Sequence, residues 1–474
     1  MKSRIKSLLE SNRSFSFWIL VILGIKLLLF AYFALQFSNF WEKEMLGNHL
    51  VVKTGDSYGY YAPAENAVTE GDYNSTCRMP GALPIYWTLR LILNASHAEV
   101  GVIVIQFLIS CISVFVLGLF AESVFKKKWI FPITILIYAL SSFVSIWDHY
   151  LLSDSLSTSF SIFCVYFLKK YFDTTSRISL LISSLFLIWA IFFRQIFLVF
   201  FPIVAIIILV LNWKSPKRWI VDGLLYILPF LLAVFFWSEY TKSISGKRIL
   251  LTSPISECFS TYSPAYMSIT SLLIDMGYGE PFWTEGSITQ WIIRSKEEAP
   301  MPLVPQRHFN SQMNEDSLAR LRSNYRNFLK AEGSIRDSLQ TVILESTNRF
   351  ASTYRQENAG SYYFLNKLRH LKIFVFPLRL DNLPGPAFSE MNFFQKGVKV
   401  FYLLLYTLVG SIGFILLLFS WGSFNGTQRL FMLFPAVLVF SLAVILGFVE
   451  QRYFVPVYPF LVVLIAYYIQ RFFK

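Results

Sequence analysis

The stretch SLLISSLFLIWAIFFRQIFLVFFPIVAIIILVLN, residues 179–212, carries a single charge, Arg194. A helix crosses a bilayer in about 20 apolar residues. The stretch is therefore either one long kinked helix or two short spans that turn at Arg194, and the choice sets the side of everything downstream. One span would send the basic cluster Lys214, Lys217 and Arg218 outward; two spans keep it on the same face as the other basic segments, as the positive-inside rule requires. Two spans is the expectation.

Working outward, 55% hydrophobic and 18% aromatic residues against 15% charged ones mark a multi-span membrane protein. A net charge of +13 would point to nucleic acid in a soluble chain. Here lysines and arginines fall between apolar runs, where they orient spans, so nucleic acid is not an expected partner. The expected spans are 17–37, 100–120, 129–147, 151–168, 178–193, 196–212, 219–238, 398–420, 429–447 and 454–470, with both ends inside. The first follows Lys2, Arg4, Lys6 and Arg13 and is read as a retained span rather than a signal peptide. Under this alternation the amino terminus, Lys126–Lys128, Lys169 with Lys170 and Arg177, Lys214 with Lys217 and Arg218, Arg429, and Arg471 with Lys474 share one side.

The expected organisation is an all-α polytopic bundle: residues 1–238 hold seven spans and a first outer loop at 38–98, 239–396 form an extracytoplasmic segment, and 397–474 hold three more spans. The outer segment is too long for a structureless loop. Within it Ser311–Arg349 reads as helix, Pro300, Pro302 and Pro305 mark irregular chain, and LKIFVFPLRL (371–380) is too short to cross and reads as interfacial. No internal repeat, Gly-rich phosphate loop or Walker motif is present, which disfavours ATP-driven transport by this chain. Cys111 and Cys164 lie in apolar runs and read as packing, while Cys77 and Cys258 both fall in outer segments, where a disulfide is permitted. No CxxC pair or His-rich cluster supports zinc.

The topology sends several ionisable residues toward one plane: Asp56 in the first loop, Asp148, His149 and Asp154 around the third-to-fourth turn, Arg194, and Glu450 with Arg452 between spans nine and ten. Such groups at the edge of apolar spans are costly unless paired or hydrated, so their convergence marks a site or a salt-bridge network. Each also has a structural reading. Asp56 and Asp154 could be helix caps, the arginines could snorkel or pair with Glu450, and Asp148 and His149 could form a solvated turn.

The first loop supplies an ordered set of motifs: Asp56, Tyr60, Ala64 and Ala67, then Gly71-Asp72-Tyr73, then Arg78-Met79-Pro80-Gly81 and Pro84. Leu152-Ser153-Asp154-Ser155-Leu156, Phe193-Arg194 and Gln451-Arg452-Tyr453-Phe454-Val455-Pro456 follow in order. Together they resemble the GT-C membrane glycosyltransferases, especially the protein-O-mannosyltransferase and aminoarabinose-transferase group (glycosyltransferase family 39-like). Two motif positions depart from that pattern: Met79 stands where proline is common, and Asp154 where many members have Glu. The large outer segment also lies between spans seven and eight instead of after the last span.

The resemblance implies a GT-C bundle with interfacial helices in the first outer loop. It implies transfer of a sugar from a polyprenyl-phosphate donor to a glycan, lipid or protein acceptor, with inversion. In that reading Asp56 is the base and Asp154 orients the acceptor, shares the base role or helps hold a divalent cation. Arg194 and Arg452 bind the donor phosphate, and Tyr58, Tyr60, Tyr61, Arg78 and His149 line the substrate groove. The Pro80–Leu93 segment, with Trp87 and Arg90, forms a wall of the lipid groove. The expected location is a bacterial inner membrane with the site facing the periplasm or cell exterior. The opposing classes are a transporter or lipid-linked-sugar flippase, whose ionisable residues would sit nearer the bilayer midplane, and a scaffold with a degenerate fold.

Overall fold

The structure is a computed structural model that describes residues 2–40, 46–48, 50–127, 129–258, 262–280, 286–294, 299–376, 388–447 and 450–471. Among these residues the chain is helical almost throughout, and the strands Leu46–Asn48 and Val51–Val52 pair antiparallel as one small ribbon. It is an all-α membrane protein. Five helices are long and apolar enough to cross a membrane: Phe15–Asn39, Ala95–Phe125, Pro216–Ser245, Phe393–Phe419 and Gly426–Leu446. A sixth candidate is the pair Ile130–Ala139 and Ser142–Asp148, bent by 55°.

Helices also cover the other expected spans, but they fall short of that test for physical reasons. Arg177–Phe193 and Gln195–Leu211 are apolar but short. Asp154–Thr174 is 21 residues long, yet Ser155, Ser157, Thr158, Ser159 and Ser161 dilute its hydropathy. All five are buried, so the bundle shields them from lipid. At Arg194 the backbone leaves the helix (φ −148°, ψ 113°), so residues 179–212 are not one continuous helix.

The chain divides into two compact units: Met1–Thr252 with Leu378–Leu438 and Val455–Lys474, and Ser253–Pro377 with Val439–Phe454. In the first unit, Asp154–Thr174 packs along Arg177–Phe193 and Ala95–Phe125, and Tyr458–Arg471 packs against Ile130–Ala139. Edge-to-face rings knit its interior, with Phe120 meeting both Phe431 and Phe460 and Phe200 meeting Phe434. The helix Pro216–Ser245 carries residues 239–245, expected in the outer segment, as its continuation.

The second unit is built on helices Pro264–Asp275, Ile288–Ile293, Glu315–Lys330, Gly333–Glu357 and Asn366–Val375. Ile269, Leu273, Trp291, Leu321, Tyr325, Ile343 and Tyr354 share its apolar core. The stretch expected as one helical run from Ser311 is two helices. Asn314 caps the first through Ser317, and Gly333 (φ +56°) opens the second in a conformation that glycine adopts at little cost. The interfacial stretch 371–380 contributes the end of the helix Asn366–Val375; its residues 377–380 lie outside the described residues. Cys77 and Cys258 are each in a disulfide, while Cys111 and Cys164 are free and buried.

Candidate functional site in the first unit

The helix Gly55–Thr69 begins one residue before Asp56, and its N-cap is Thr54. Thr54 N–H donates to Ser57 Oγ at 3.0 Å. Asp56 is therefore not the cap, and its carboxylate turns to another partner: Arg78 NH2 lies 3.1 Å from Asp56 Oδ1, with both side chains partly exposed. The Arg78 guanidinium also sits 4.7 Å over the Tyr60 ring, within cation–π range.

Tyr60 carries the network across the loop. Its hydroxyl donates to Phe193 O at 3.3 Å and accepts from Ser153 Oγ at 3.1 Å. Ser153 Oγ in turn accepts from Arg194 Nε at 3.0 Å, and Arg194 NH2 lies 2.5 Å from Asp154 Oδ1. The Asp154 side chain is fully buried and that of Arg194 nearly so. Ser153 precedes the helix Asp154–Thr174 without capping it through its side chain. Asp154 is its first residue and is committed to an ion pair rather than to a cap. Asp56, Arg78, Tyr60, Ser153, Arg194 and Asp154 thus form one connected series drawn from three separate segments.

Backbone geometry holds those segments together. A Cβ on Gly81 would stand 2.8 Å from Phe192 C and O, so only glycine permits the loop to touch the end of the helix that leads to Arg194. Trp189 Nε1 donates to Gly81 O at 3.0 Å across the same contact. Nearer the start of the loop, Val52 N–H donates to His149 O at 2.9 Å, and Leu151 N–H donates to Val52 O at 3.0 Å. Two hydrogen bonds therefore fix the segment before Asp56 to the segment before Asp154. The segment expected to lie along the membrane as 80–93 holds the helix Leu83–Arg90. Arg90 clamps Glu65 with Nε and NH2, both at 2.8 Å, and Tyr86 OH donates to Glu65 at 2.9 Å. The Arg90 hydrogen bonds hold the Glu65 carboxyl below the usual carboxylate range.

The other expected residues have surroundings of their own. Tyr58 is exposed, whereas Tyr61 is buried edge-on against Tyr86. His149 is enclosed: it stacks on Phe30 at 3.9 Å, with Nδ1 3.3 Å from Leu50 O, so it is a core residue rather than an open groove wall or a solvated turn. Arg452 belongs to the second unit, where its Nε lies 2.8 Å from Glu450 Oε1.

Asp148 is also buried, at 1% exposure, and its partner was not foreseen. Lys26, in the middle of the first span and 2% exposed, donates from Nζ to Asp148 Oδ2 at 2.6 Å and to Ser145 Oγ at 2.9 Å. Ser155 Oγ donates to Asp148 Oδ1 at 2.5 Å, and Gln106 Nε2 donates to the carbonyls of Trp147 and Tyr150. The signal was present in the sequence as a lone lysine inside an apolar run, which asks for a buried partner.

For a divalent cation, the first unit offers Asp56 and Asp154, each already paired with an arginine. Among the described residues no group of three or more His, Cys, Asp or Glu is placed to hold a metal ion. The arrangement suits acid–base and anion chemistry: a half-exposed carboxylate at one end and a guanidinium held by a buried carboxylate at the other. No protein-family model matches the chain, and no curated protein does.

Proposed function

We propose that the chain is a GT-C-type glycosyltransferase with ten membrane crossings. It moves a sugar from a polyprenyl-phosphate donor to an acceptor outside a bacterial inner membrane. The single observation that carries this reading is the series from Asp56 to Asp154: a carboxylate not used as a helix cap, linked through Tyr60 and Ser153 to a buried Arg–Asp pair.

In this reading Asp56 takes the proton from the acceptor hydroxyl as that oxygen attacks the anomeric carbon. The bond from that carbon to the phosphate oxygen breaks on the opposite face, which inverts the centre. Negative charge stays on the lipid phosphate, and a guanidinium stabilises it more in the transition state than in the ground state. Arg194 fills that role, with Asp154 and Ser153 fixing its plane. Arg78 orients the base, and the segment 239–396 contributes to the choice of acceptor.

The test compares cells carrying wild type with cells carrying Asp56→Asn, by mass spectrometry of extracted lipids and surface glycoconjugates. The expected result is accumulation of one polyprenyl-phosphate sugar and loss of the same sugar from one glycan, with protein level unchanged. Unchanged profiles at normal protein level would remove Asp56 from the chemistry. The buried Lys26–Asp148 pair favours a second reading, a flippase or transporter, because ionisable pairs inside spans often mark translocation paths. That reading predicts an active Asp56→Asn and an inactive Lys26→Met/Asp148→Asn double variant.

A further inference from the structure

The second unit holds a cluster of polar side chains that the transfer chemistry does not use. His308 and His370 are 1% and 0% exposed. His308 Nε2 and both ring nitrogens of His370 have no hydrogen-bond partner among the described residues, and the same is true of Tyr278 OH and Glu280 Oε2. Buried polar atoms left unpaired cost free energy, and so many in one place call for an explanation.

They are contiguous. The Tyr278 ring lies 5.2 Å from the His308 ring, and the Arg369 guanidinium lies 4.4 Å over Tyr278. Arg369 NH2 is 3.9 Å from Glu280 Oε1, well beyond the roughly 2.7–2.9 Å of a tight charged hydrogen bond. A Cβ on Gly279 would stand 3.3 Å from His370 Nε2 and 2.0 Å from Gly447 O. Two glycines thus bring bare backbone against the His370 ring. Arg369 and Glu280 are the partly exposed members of the cluster, at 32% and 19%.

Its donors can be assigned. Asn366 Nδ2 donates to Tyr354 OH at 3.0 Å, and that hydroxyl stands 3.5 Å from His308 Nδ1. With Nδ1 accepting from Tyr354, the proton sits on Nε2, which is then a donor without a partner among the described residues. Arg307, Arg369 and Lys367 act electrostatically on the two imidazoles, and Asp275 is occupied by Arg355 at 2.7 Å. Among the described residues Glu280 is the carboxyl of this cluster, and burial pushes it up toward its neutral, donating form. The surplus is therefore of donors and positive charge.

We propose that Tyr278, Glu280, His308, Arg369 and His370 form a binding site for a phosphoryl group. Its oxygens take hydrogen bonds from Arg369, His308 Nε2, the His370 ring N–H and Tyr278 OH. Gly447 ends the apolar helix Gly426–Leu446 in a left-handed turn (φ +64°), so the site stands at the end of a candidate membrane span. A phospholipid headgroup and a soluble phosphate both meet the chemistry.

The test uses full-length protein in dodecyl maltoside micelles, which carry no phosphate, with no sugar donor present, so that its outcome is independent of the transferase reading. Inorganic phosphate and a short-chain phosphatidic acid are titrated calorimetrically into wild type, Arg369→Gln, His370→Gln and, as a surface control, Arg320→Gln. Loss of one charged hydrogen bond weakens binding about 10-fold or more, so the first two variants should show that loss while Arg320→Gln matches wild type. Phosphatidic acid binding about 10-fold tighter than inorganic phosphate identifies a headgroup; equal or weaker binding identifies a soluble source. No binding of either probe to wild type overturns the proposal. So does wild-type affinity in both Arg369→Gln and His370→Gln, each confirmed as folded by its melting curve.

Discussion

The two units differ in how much buried polarity they leave unmet, although each pairs a buried aspartate with an arginine, Asp154 with Arg194 in the first and Asp275 with Arg355 in the second. In the first, buried charged side chains are matched, Lys26 with Asp148, Asp154 with Arg194, Lys169 with Asp173 and Asp222 with Arg177, and one buried imidazole, His149, keeps Nε2 unpaired among the described residues. In the second, two imidazoles and a phenol are buried with polar atoms unpaired among the described residues. The first unit's interior is shielded by apolar helices, where an unpaired ion costs several kcal/mol. A neutral histidine or tyrosine costs less, so the second unit carries its unmet groups in uncharged form. The lesson is that matched charges fix geometry, whereas unmatched neutral groups leave capacity for a ligand.

The comparison breaks first at Lys26. Lys26→Met leaves Asp148 buried and unpaired, and removal of one member of a buried pair costs about 3–5 kcal/mol. The double variant Lys26→Met/Asp148→Asn should recover most of that loss. Chemical denaturation in detergent measures both, and equal stability of wild type and Lys26→Met would show the pair to be without structural weight.

Gly81→Ala comes next. Its methyl group would meet Phe192 backbone, and overpacking of this kind costs about 1–3 kcal/mol. Because that contact leads into Arg194, transfer activity should fall further than stability does. A Gly81→Ala variant with full activity would separate the loop from the site.

A third expectation concerns pH and sharpens the contrast between units. Burial, helped by the nearby positive charges of Arg307, Lys367 and Arg369, pulls His308 and His370 down to about 4 from an ordinary 6.5. A depressed folded pKa means that the unfolded chain takes up protons first. The second unit should therefore hold its stability above pH 6.5 and lose it as pH falls toward 4. Hydrogen exchange resolved by unit measures this, and His308→Phe with His370→Phe should flatten the profile. A loss confined to the first unit would contradict it.

The smallest effect belongs to the helix cap. Ser57→Ala removes the hydrogen bond from Thr54 N–H and should cost about 1 kcal/mol without touching the Asp56–Arg78 pair. Asp56→Asn should do the reverse, sparing stability and abolishing transfer. If the two variants behave alike in an activity assay, Asp56 has only a local structural part.

Much of the helical framework was legible because apolar runs of span length announce themselves, and the expected runs fall mainly on helical segments, that at 129–147 on two bent by 55°. Five of those helices pass as membrane spans on length and composition. At Arg194 the helix breaks, as either a two-span hairpin or a kinked single helix requires; the sequence preferred two spans from the sidedness of Lys214, Lys217 and Arg218, and the break by itself does not choose between them. Less legible was pairing. Asp154 and Arg194 are far apart in sequence but in ion-pair contact, and nothing local specifies that choice over Glu450. His149 reads as a polar turn because sequence gives its type but not the rings of Phe30, Phe33 and Phe37 that surround it. The second unit's cluster escaped entirely, because Tyr278, His308 and His370 come from three distant stretches with no spacing to link them.

The close approach at Gly81 also bears on motion. With no side chain between them, the first loop and the end of the helix Arg177–Phe193 lack the compressible layer that lets packed elements slide, and the Trp189 hydrogen bond adds a tether. A displacement of Arg194 therefore carries Gly81 with it, and through the same short loop it carries Arg78. Under the proposed transferase reading, opening the first unit to a substrate would move Asp56 and Arg194 as one rigid body, and admission would then depend on what surrounds that body rather than on separation of the two groups.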